Sequence, residues 1–239
     1  MYNNYNFSKE LVSLAEKTEE KIKPIFENID RICMKNSAKV LQAFQAERVT
    51  TTDFNEITGY GFYDEGRDKL ERIYARIFGA EDALVRNQIM SGTHALALTF
   101  FGLLKPGDTF ISISGDPYDT LKSVIGTEGN SRNSLLKYGA KYEQIELDGN
   151  DFDIPAIVKR LSKHDVKLVE IQRSRGYSDR KSLTIDKIER VCKAIREVDK
   201  KVIIMVDNCY GDLVEEKEPT EVGCDILVGS LMKNLGGGV

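Results

Sequence analysis

The end of the chain carries a lysine whose position suits amine chemistry. Lys233 follows the apolar run 225–228, which the pattern predicts to be a buried strand, and Ser230 stands three residues before the lysine. Ligands of open α/β sheets bind at the carboxyl ends of the strands. A partly desolvated lysine there can attack a carbonyl carbon as a neutral amine. A solvated lysine beyond a strand is the alternative, and only the neighbouring motifs decide between the two.

Three other stretches stand where a strand or turn is expected to lead into a helix. Ser91, Gly92 and Thr93 open an apolar helix, whose free N–H groups and positive dipole end suit a phosphate. Plain helix capping by Ser91 is the alternative, favoured if the turn is taken alone. Tyr118 could lie flat against a planar ligand or pack on its own helix. Asp207 ends an apolar strand, where a carboxylate needs a cation or a hydrogen-bond donor.

A metal pair formed by Asp207 and Asp212 is the weaker interpretation, because the two histidines of the chain, His94 and His164, lie elsewhere. No metal site is expected. Pyridoxal 5′-phosphate (PLP) requires four such groups. Its phosphate needs a cradle, its ring a flat aromatic partner, its pyridine nitrogen a carboxylate, and its aldehyde a lysine amine. The motifs therefore predict a PLP site.

Alternating strands and helices must position these residues. The run 202–206 is apolar throughout, as expected when helices cover both faces of a parallel sheet. The sequence predicts an α/β fold with a mostly parallel sheet between helices. Strands are predicted at 83–86, 109–113, 142–147, 167–172, 202–207 and 225–228, and helices at 93–104, 119–127, 154–162 and 185–198.

The first third of the chain predicts a helical arm. Residues 8 to 47 are helical in pattern, with Ser8 as a cap and with Pro24 ending or kinking the first of two helices. A turn-rich loop follows, and then a helix from 67 to 78 that ends at Gly79. We expect residues 1–65 to form the arm and loop, and 66–239 to form the large domain. The arm would pack on a partner subunit or on its own domain.

Composition narrows the class of protein. The 239 residues are 41% hydrophobic and 30% charged, which is ordinary for a soluble globular protein. The net charge of −4 offers no basic field for nucleic acid or an anionic membrane. No apolar run could cross a bilayer, and the N-terminus does not resemble a signal peptide. The four cysteines form no C-x-x-C pair, so a reducing cytoplasm is expected.

The motifs taken in order resemble the fold-type I PLP enzymes, particularly the cystathionine/methionine γ-lyase group. Five segments are similar to the bacterial aluminium-resistance branch of methionine γ-lyase-like proteins: 66–71, 91–96, 116–121, 172–177 and 229–234. The resemblance runs from about residue 50 to the end of the sequence.

This resemblance implies a role for each site residue. Lys233 would hold the cofactor aldehyde and move the proton at the substrate Cα. Asp207 would pair with the pyridinium nitrogen, and Tyr118 would stack on the ring. The phosphate would be held by small residues of two turns: Gly92, Thr93 and Ser230.

The arginines of this chain match the family pattern only in part. In the γ-lyase group a Tyr-x-Arg of the neighbouring subunit reaches the phosphate, whereas this chain has Tyr60–Phe62, so that Tyr60 or Arg67 would have to substitute. Arg173 and Arg175 could bind a substrate carboxylate by a bidentate contact, or form a solvated loop pair.

The sequence ends six residues after Lys233, at residue 239. Fold-type I enzymes continue there with further strands and a C-terminal small domain, so we expect an incomplete large domain. The resemblance implies a carbon–sulfur lyase that converts a sulfur amino acid to a 2-oxo acid, ammonia and a thiol, working as a homodimer or homotetramer when full length. Other fold-type I chemistry (aminotransferase, decarboxylase or aldolase) and a catalytically silent fragment are alternatives. A nicotinamide-binding fold is disfavoured, because no G-x-G-x-x-G follows the first strand.

Overall fold

In a computed structural model, which describes residues 5–57, 60, 64–129 and 132–235, the chain forms a parallel sheet covered by helices on both faces. The α/β fold class is thus confirmed. The strands are β1 (Thr109–Ser112), β2 (Lys141–Gln144), β3 (Leu147–Asp148), β4 (Asp151–Phe152), β5 (Val166–Gln172), β6 (Ile203–Asp207) and β7 (Ile226–Val228). The helices are α1 (Lys9–Ala46), α2 (Glu65–Phe78), α3 (Gly92–Leu103), α4 (Asp119–Ile125), α5 (Leu135–Tyr138), α6 (Ile154–Leu161) and α7 (Ile185–Val198).

The large sheet has the strand order β2-β1-β5-β6-β7, and all neighbouring strands are parallel. The order reverses at β1, because β2 lies on one side of it and β5 on the other. Such a reversal leaves a crevice at the carboxyl ends of the strands, where ligands bind. The register places Gln172 beside Asp207 and Asp207 beside Val228, so β5, β6 and β7 end at one level.

Each face of the sheet buries a separate apolar layer. Val169 and Ile171 of β5 pack with α6 and α7, whereas Leu168 packs in the layer of α3, α4 and α5. Successive side chains of a strand point to opposite faces. This is why the strands have apolar residues at consecutive positions: both faces are covered.

Helix α1 differs from the prediction of two helices. It runs without interruption through Pro24, and the Ser8 hydroxyl caps it by accepting a hydrogen bond from the Leu11 amide at 3.2 Å. Proline removes one N–H donor and crowds the preceding turn. Pro24 is exposed, so no packed neighbour resists a local adjustment, and the flanking turns keep their own hydrogen bonds.

The predicted strand at 83–86 is wrong. This segment has no regular secondary structure and pairs with none of the described strands; its Val85 amide donates instead to the Glu71 side chain on α2 at 3.0 Å. The predicted strand 142–147 is also too long. It ends at Gln144, and Leu147 starts the small antiparallel hairpin β3–β4, which the sequence analysis missed.

Other predicted elements are confirmed within one or two residues. Helix α7 has the predicted bounds, and α2 ends at Gly79 in the left-handed conformation (φ 62°). Among the described residues, no helix combines the length and apolar character needed to span a bilayer. The division into an arm and a large domain stays a prediction.

Candidate active site

The N-terminus of α3 forms one side of the candidate site. The Ser91 hydroxyl accepts a hydrogen bond from the His94 amide at 3.1 Å, so Ser91 does cap the helix. A Cβ atom on Gly92 would lie 3.2 Å from the Cys209 sulfur and 3.5 Å from the Ser230 Cβ. Glycine therefore permits a close approach of α3 to the turns after β6 and β7. That approach brings N–H groups without intrahelical partners to the shared edge.

Tyr118 links the end of β1 to α4 and is held at two points. Its hydroxyl lies 3.0 Å from the Thr93 hydroxyl, which is also 2.9 Å from the Thr120 hydroxyl. Its backbone amide donates to the Gln172 side-chain oxygen at 2.9 Å. Burial raises the pKa of the Tyr118 phenol, so it stays protonated as a donor. The ring is thus fixed between α3 and the end of β5.

Asp207 is the last residue of β6 and is only 2% exposed. Its Oδ1 accepts a hydrogen bond from the Cys209 amide at 3.0 Å. Burial raises the pKa of this carboxyl, whereas the positive charge of Lys233 lowers it. Burial also raises the pKa of the Cys209 thiol, to about 12, so the thiol stays neutral beside the carboxyl. A carboxylate with one backbone donor keeps acceptor capacity for a cationic group.

Lys233 lies in the turn after β7, where its amide donates to the Ser230 carbonyl at 3.1 Å. Its amine stands 4.1 Å from the centroid of the Tyr210 ring, in a cation–π contact. Tyr210 has a left-handed backbone (φ 65°), which is uncommon for a residue other than glycine. Ser230 is buried at the same turn. The amine is therefore held by a contact that a reacting carbonyl could displace.

The contacts of these four elements bring most of the predicted site residues together at one edge of the sheet. Four places supply these residues: the N-terminus of α3, the turn between β1 and α4, the end of β6 and the turn after β7. Its members are Ser91, Gly92, Thr93, Tyr118, Asp207, Ser230 and Lys233.

Arg173 lies in a different setting from the one expected. It is 3% exposed, which rules out a solvated loop position. Its guanidinium donates to the Asn208 side chain at 2.7 Å, the Gly211 carbonyl at 2.8 Å and the Glu215 carboxylate at 2.7 Å. These bonds fix the turn after β6 to the end of β5. The role of Arg173 in binding a substrate carboxylate stays a prediction, and its donors already serve this turn.

Two buried acids complete this arrangement, which we name the Arg173 cluster (Arg173, Asn208, Asp212, Glu215 and Glu218). The Asn208 amide donates to Asp212 at 2.7 Å and to Glu218 at 3.2 Å. Burial raises the pKa of Asp212 to about 6 and that of Glu218 to about 7, and the charge of Arg173 opposes both shifts. Asp212 therefore belongs to this cluster, with its Oδ1 bonded to Asn208.

Two further residues of the site, and one buried acid beside it, were not predicted from the sequence. Gln172 positions the Tyr118 amide, Tyr210 holds the Lys233 amine, and Glu170 is a buried carboxyl on the same face of the sheet. A charged or polar residue inside an otherwise apolar strand is the signal for Glu170 and Gln172. The left-handed conformation of Tyr210 has no comparable signal in the sequence.

The other predicted residues lie apart from this edge in the described contacts. Tyr60 is 83% exposed, and its neighbours Gly61–Phe62 fall outside the described residues. Arg67 forms an ion pair with Asp64 at the start of α2, with Nε and Oδ2 3.5 Å apart. Arg175 is exposed in the loop after β5. Their roles toward phosphate or substrate stay predictions.

Comparison with known proteins supports the resemblance seen in the motifs. The family model described as methionine gamma-lyase matches residues 11–239. The protein YnbB of Bacillus subtilis, itself described as uncharacterized, is 41% identical over 242 residues, which cover 100% of this chain and 57% of YnbB.

Two crystal structures share the fold over the full chain. A Clostridium acetobutylicum protein, described as a candidate cystathionine beta-lyase involved in aluminium resistance, is 47% identical with a TM-score of 0.93. A Clostridium novyi protein, described as a carbon–sulfur lyase involved in aluminium resistance, is 41% identical with a TM-score of 0.92. In both comparisons the match covers 100% of this chain and 57% of the other. This chain belongs to the methionine gamma-lyase family.

Proposed function

We propose that this chain binds PLP and that the full-length protein cleaves a carbon–sulfur bond of a sulfur amino acid. The observation that carries the proposal is the meeting of the Lys233 amine, the buried Asp207 carboxyl and the N-terminus of α3 at one edge of the sheet. The names of the related proteins, a carbon–sulfur lyase among them, favour this chemistry over other fold-type I reactions.

The residues present fit PLP. Glycine at position 92 keeps open a space that a Cβ atom would narrow, and the phosphate would be held there by the α3 amides with Thr93 and Ser230. Asp207 has free acceptor capacity for the protonated ring nitrogen. Tyr118 presents a fixed ring, and Lys233 would hold the aldehyde.

Each residue then has a defined task in the reaction. PLP, when bound, withdraws electrons from the substrate Cα. The Lys233 amine takes the proton from that carbon and returns it later. The Asp207 carboxylate keeps a proton on the ring nitrogen by charge and hydrogen bonding. In the net reaction the carbon–sulfur bond breaks, the sulfur leaves as a thiol, and water is consumed as ammonia and the 2-oxo acid are released.

Absorbance spectroscopy of the purified chain with added PLP tests the cofactor site. We expect a new visible band that borohydride traps as a pyridoxyl group on Lys233, found by peptide mapping. The Lys233→Ala variant should lose the band, whereas Lys193→Ala, at an exposed site on α7, should keep it. Label scattered over many lysines, or no band, would contradict the proposal and favour a silent fragment.

Product analysis of a full-length protein carrying this chain tests the reaction. Free thiol and ammonia in equal amounts would support elimination. Transfer of the amino group to an added 2-oxo acid, without thiol, would instead identify an aminotransferase, and release of carbon dioxide a decarboxylase.

We also propose that the full-length protein is a homo-oligomer located in the cytoplasm. Helix α1 leaves large apolar side chains exposed, among them Leu14, Ile25, Phe26 and Ile29. Such a surface favours burial against another chain. Light scattering coupled to size exclusion should give a mass of two or four subunits, and a monomer would contradict the proposal.

A further inference from the structure

Glu170 is a buried acid in the centre of the sheet that lacks a hydrogen-bond partner among the described residues. It lies in β5 and is 1% exposed. Neither of its carboxyl oxygens accepts a hydrogen bond from any residue that the structure describes. Ser112 is its neighbour on β1, but the Ser112 hydroxyl donates to the Gly115 carbonyl at 2.9 Å. Buried polar groups are nearly always hydrogen-bonded, so this exception needs a physical explanation.

Glu170 shares its region of the sheet with Asp207. The register pairs Gln172 with Asp207 and Glu170 with Met205. Residues two apart along a strand point to the same face, and strand spacing and rise place the two acidic Cα atoms about 8 Å apart. Met205 belongs to the apolar layer of α3 and α4. Both carboxyls therefore lie on one poorly solvated face.

The charged groups around Glu170 do not favour a second negative charge. Asp207 on β6 and the Tyr142 phenol on β2 interact with it unfavourably when ionised, and Arg180 is the one favourable cation recorded around it among the described residues. The Arg180 guanidinium instead donates to the backbone carbonyls of Gln172 and Ser174, at 2.7 and 2.6 Å. Burial, followed by the charge of Asp207, raises the pKa of Glu170 to about 8, and the neighbouring Ser112 hydroxyl opposes this shift without reversing it.

We propose that Glu170 and Asp207 form a pair that holds one negative charge, which resides on Asp207, while Glu170 keeps a proton. Asp207 has the Lys233 charge and the Cys209 amide to stabilise its ionised form, and Glu170 has neither. Glu170 is then a positioning residue, because a neutral neighbour lets Asp207 remain ionised. Only this last role rests on the proposed function; the sharing of charge is a property of the chain alone.

The pH dependence of unfolding, measured without PLP on the wild-type chain and on Glu170→Gln, tests the pair. The folded-state pKa of Glu170 lies above its unfolded value, so ionisation is easier in the unfolded chain. Wild-type stability should therefore fall, relative to the variant, as pH rises from about 5 to about 8. The ratio of the two unfolding constants should change by up to about tenfold per pH unit. Parallel curves over this range would overturn the proposal.

Glu143→Gln is the matched control. Glu143 lies on β2 and forms an ion pair with Arg160 at 2.6 Å, which lowers the pKa of its carboxyl. This variant should therefore lose stability relative to the wild type as pH rises through the acid range, the opposite sign to Glu170→Gln. The same sign for both variants would overturn the proposal.

Infrared difference spectroscopy gives a direct readout. At pH 7 Glu218, whose pKa is about 7, contributes to the carbonyl band of protonated, buried carboxylic acids in every variant. The wild type and Asp207→Asn should show additional intensity in this band that Glu170→Gln lacks. Equal band intensity in the wild type and Glu170→Gln would overturn the pair.

PLP binding then separates this proposal from the proposed function. The Glu170→Gln affinity for PLP at pH 7 should stay within about twofold of the wild type, because both side chains are neutral. A tenfold or larger loss at unchanged stability would overturn the positioning role. A wild-type chain that shows the infrared band and the expected pH dependence but binds no PLP would support the charge pair and contradict the proposed function.

Discussion

Two groups of buried acids lie near the end of β6, and they differ in how fully they are hydrogen-bonded. In the Arg173 cluster the Arg173 guanidinium and the Asn208 amide donate hydrogen bonds of 2.7 to 3.2 Å to the surrounding side-chain oxygens, and Asp212 Oδ2 is the one buried oxygen of the cluster without a hydrogen-bond partner among the described residues. On the site face Asp207 accepts one backbone hydrogen bond, and Glu170 accepts none from the described residues. Polar groups that satisfy one another stabilise the fold, whereas groups with unused capacity are suited to a ligand.

The largest effect should follow from breaking the Arg173 cluster, which is the more fully hydrogen-bonded of the two groups. Arg173→Met leaves Glu215, Glu218 and Asp212 without their cation, and removal of one partner from a buried pair costs about 3–5 kcal/mol of unfolding free energy. Denaturant titration measures this loss. It should shrink at pH 5, because the raised pKa values of Asp212 and Glu218, about 6 and 7, leave both acids largely protonated there.

Arg190→Met is the control for this variant. Arg190 forms an exposed pair with Asp151 at 2.6 Å, so its loss should cost no more than about 1 kcal/mol. Equal effects of the two substitutions would remove the distinction between the cluster and an ordinary surface pair.

The next largest effect should come from Asp207 on the site face. It should change the affinity for PLP and leave the free energy of unfolding largely unchanged. Asp207→Asn removes the charge that would hold the ring nitrogen, and we expect the PLP affinity to fall about 100-fold, or about 2.7 kcal/mol. Stability without PLP should be kept or increased at pH 8, since a buried charge is removed. Asp148→Asn, at an exposed position, should change neither quantity. A large loss of stability in Asp207→Asn would show that Asp207 stabilises the fold, as the acids of the Arg173 cluster do.

A smaller effect should come from the contact between α3 and the two turns. Gly92→Ala places a methyl group 3.2 Å from the Cys209 sulfur, and we expect about a tenfold weaker PLP affinity, or about 1.4 kcal/mol. Gly102→Ala in the same helix meets no atom within 4 Å. That variant should gain about 0.5–1 kcal/mol of stability and bind PLP normally. Equal PLP affinities for the two variants would show that the approach at Gly92 is unimportant.

The smallest effect concerns the contact of Lys233 with Tyr210. Tyr210→Asn removes a cation–π contact of about 0.5–1 kcal/mol and relieves a left-handed backbone that asparagine tolerates better. The two changes should nearly cancel in stability. Competitive acetylation should label Lys233 a few times faster, while the exposed Lys193 reacts at its former rate. An unchanged Lys233 rate would mean that the ring does not restrain the amine.

The sequence was sufficient to predict that the residues at or just after the ends of the strands lie together. Because parallel strands all end at the same edge, Tyr118, Asp207 and Lys233 could be placed together from the order of the elements alone. The Arg173 cluster could not be predicted, because an arginine after a strand has the same local pattern whether it is solvated or buried. Its setting depends on Glu215 and Glu218, which are more than 40 residues away along the chain.

Errors in the secondary structure have a similar cause. Residues 83–86 have the apolar pattern of a strand, but a side chain of α2 supplies the hydrogen bond that a neighbouring strand would have made. Proline usually breaks a helix, yet α1 continues through Pro24, which is exposed. In both places the local sequence pattern permits more than one structure, and the contacts with the rest of the chain decide which one forms.

Helix α1 has a consequence for the synthesis of the protein. Its side chains Arg31, Lys35 and Asn36 bind the loop at residues 213–216, between 177 and 185 positions later in the chain. At about 5–20 residues per second, a ribosome needs roughly 10 to 35 s to make that loop after the helix has emerged. During this time only the C-terminal end of α1 can pack, through Ala43 against Ile73 and Ile77 of α2, and the rest of its apolar stripe stays exposed. The nascent chain should therefore be a substrate for chaperones that bind exposed amphipathic helices.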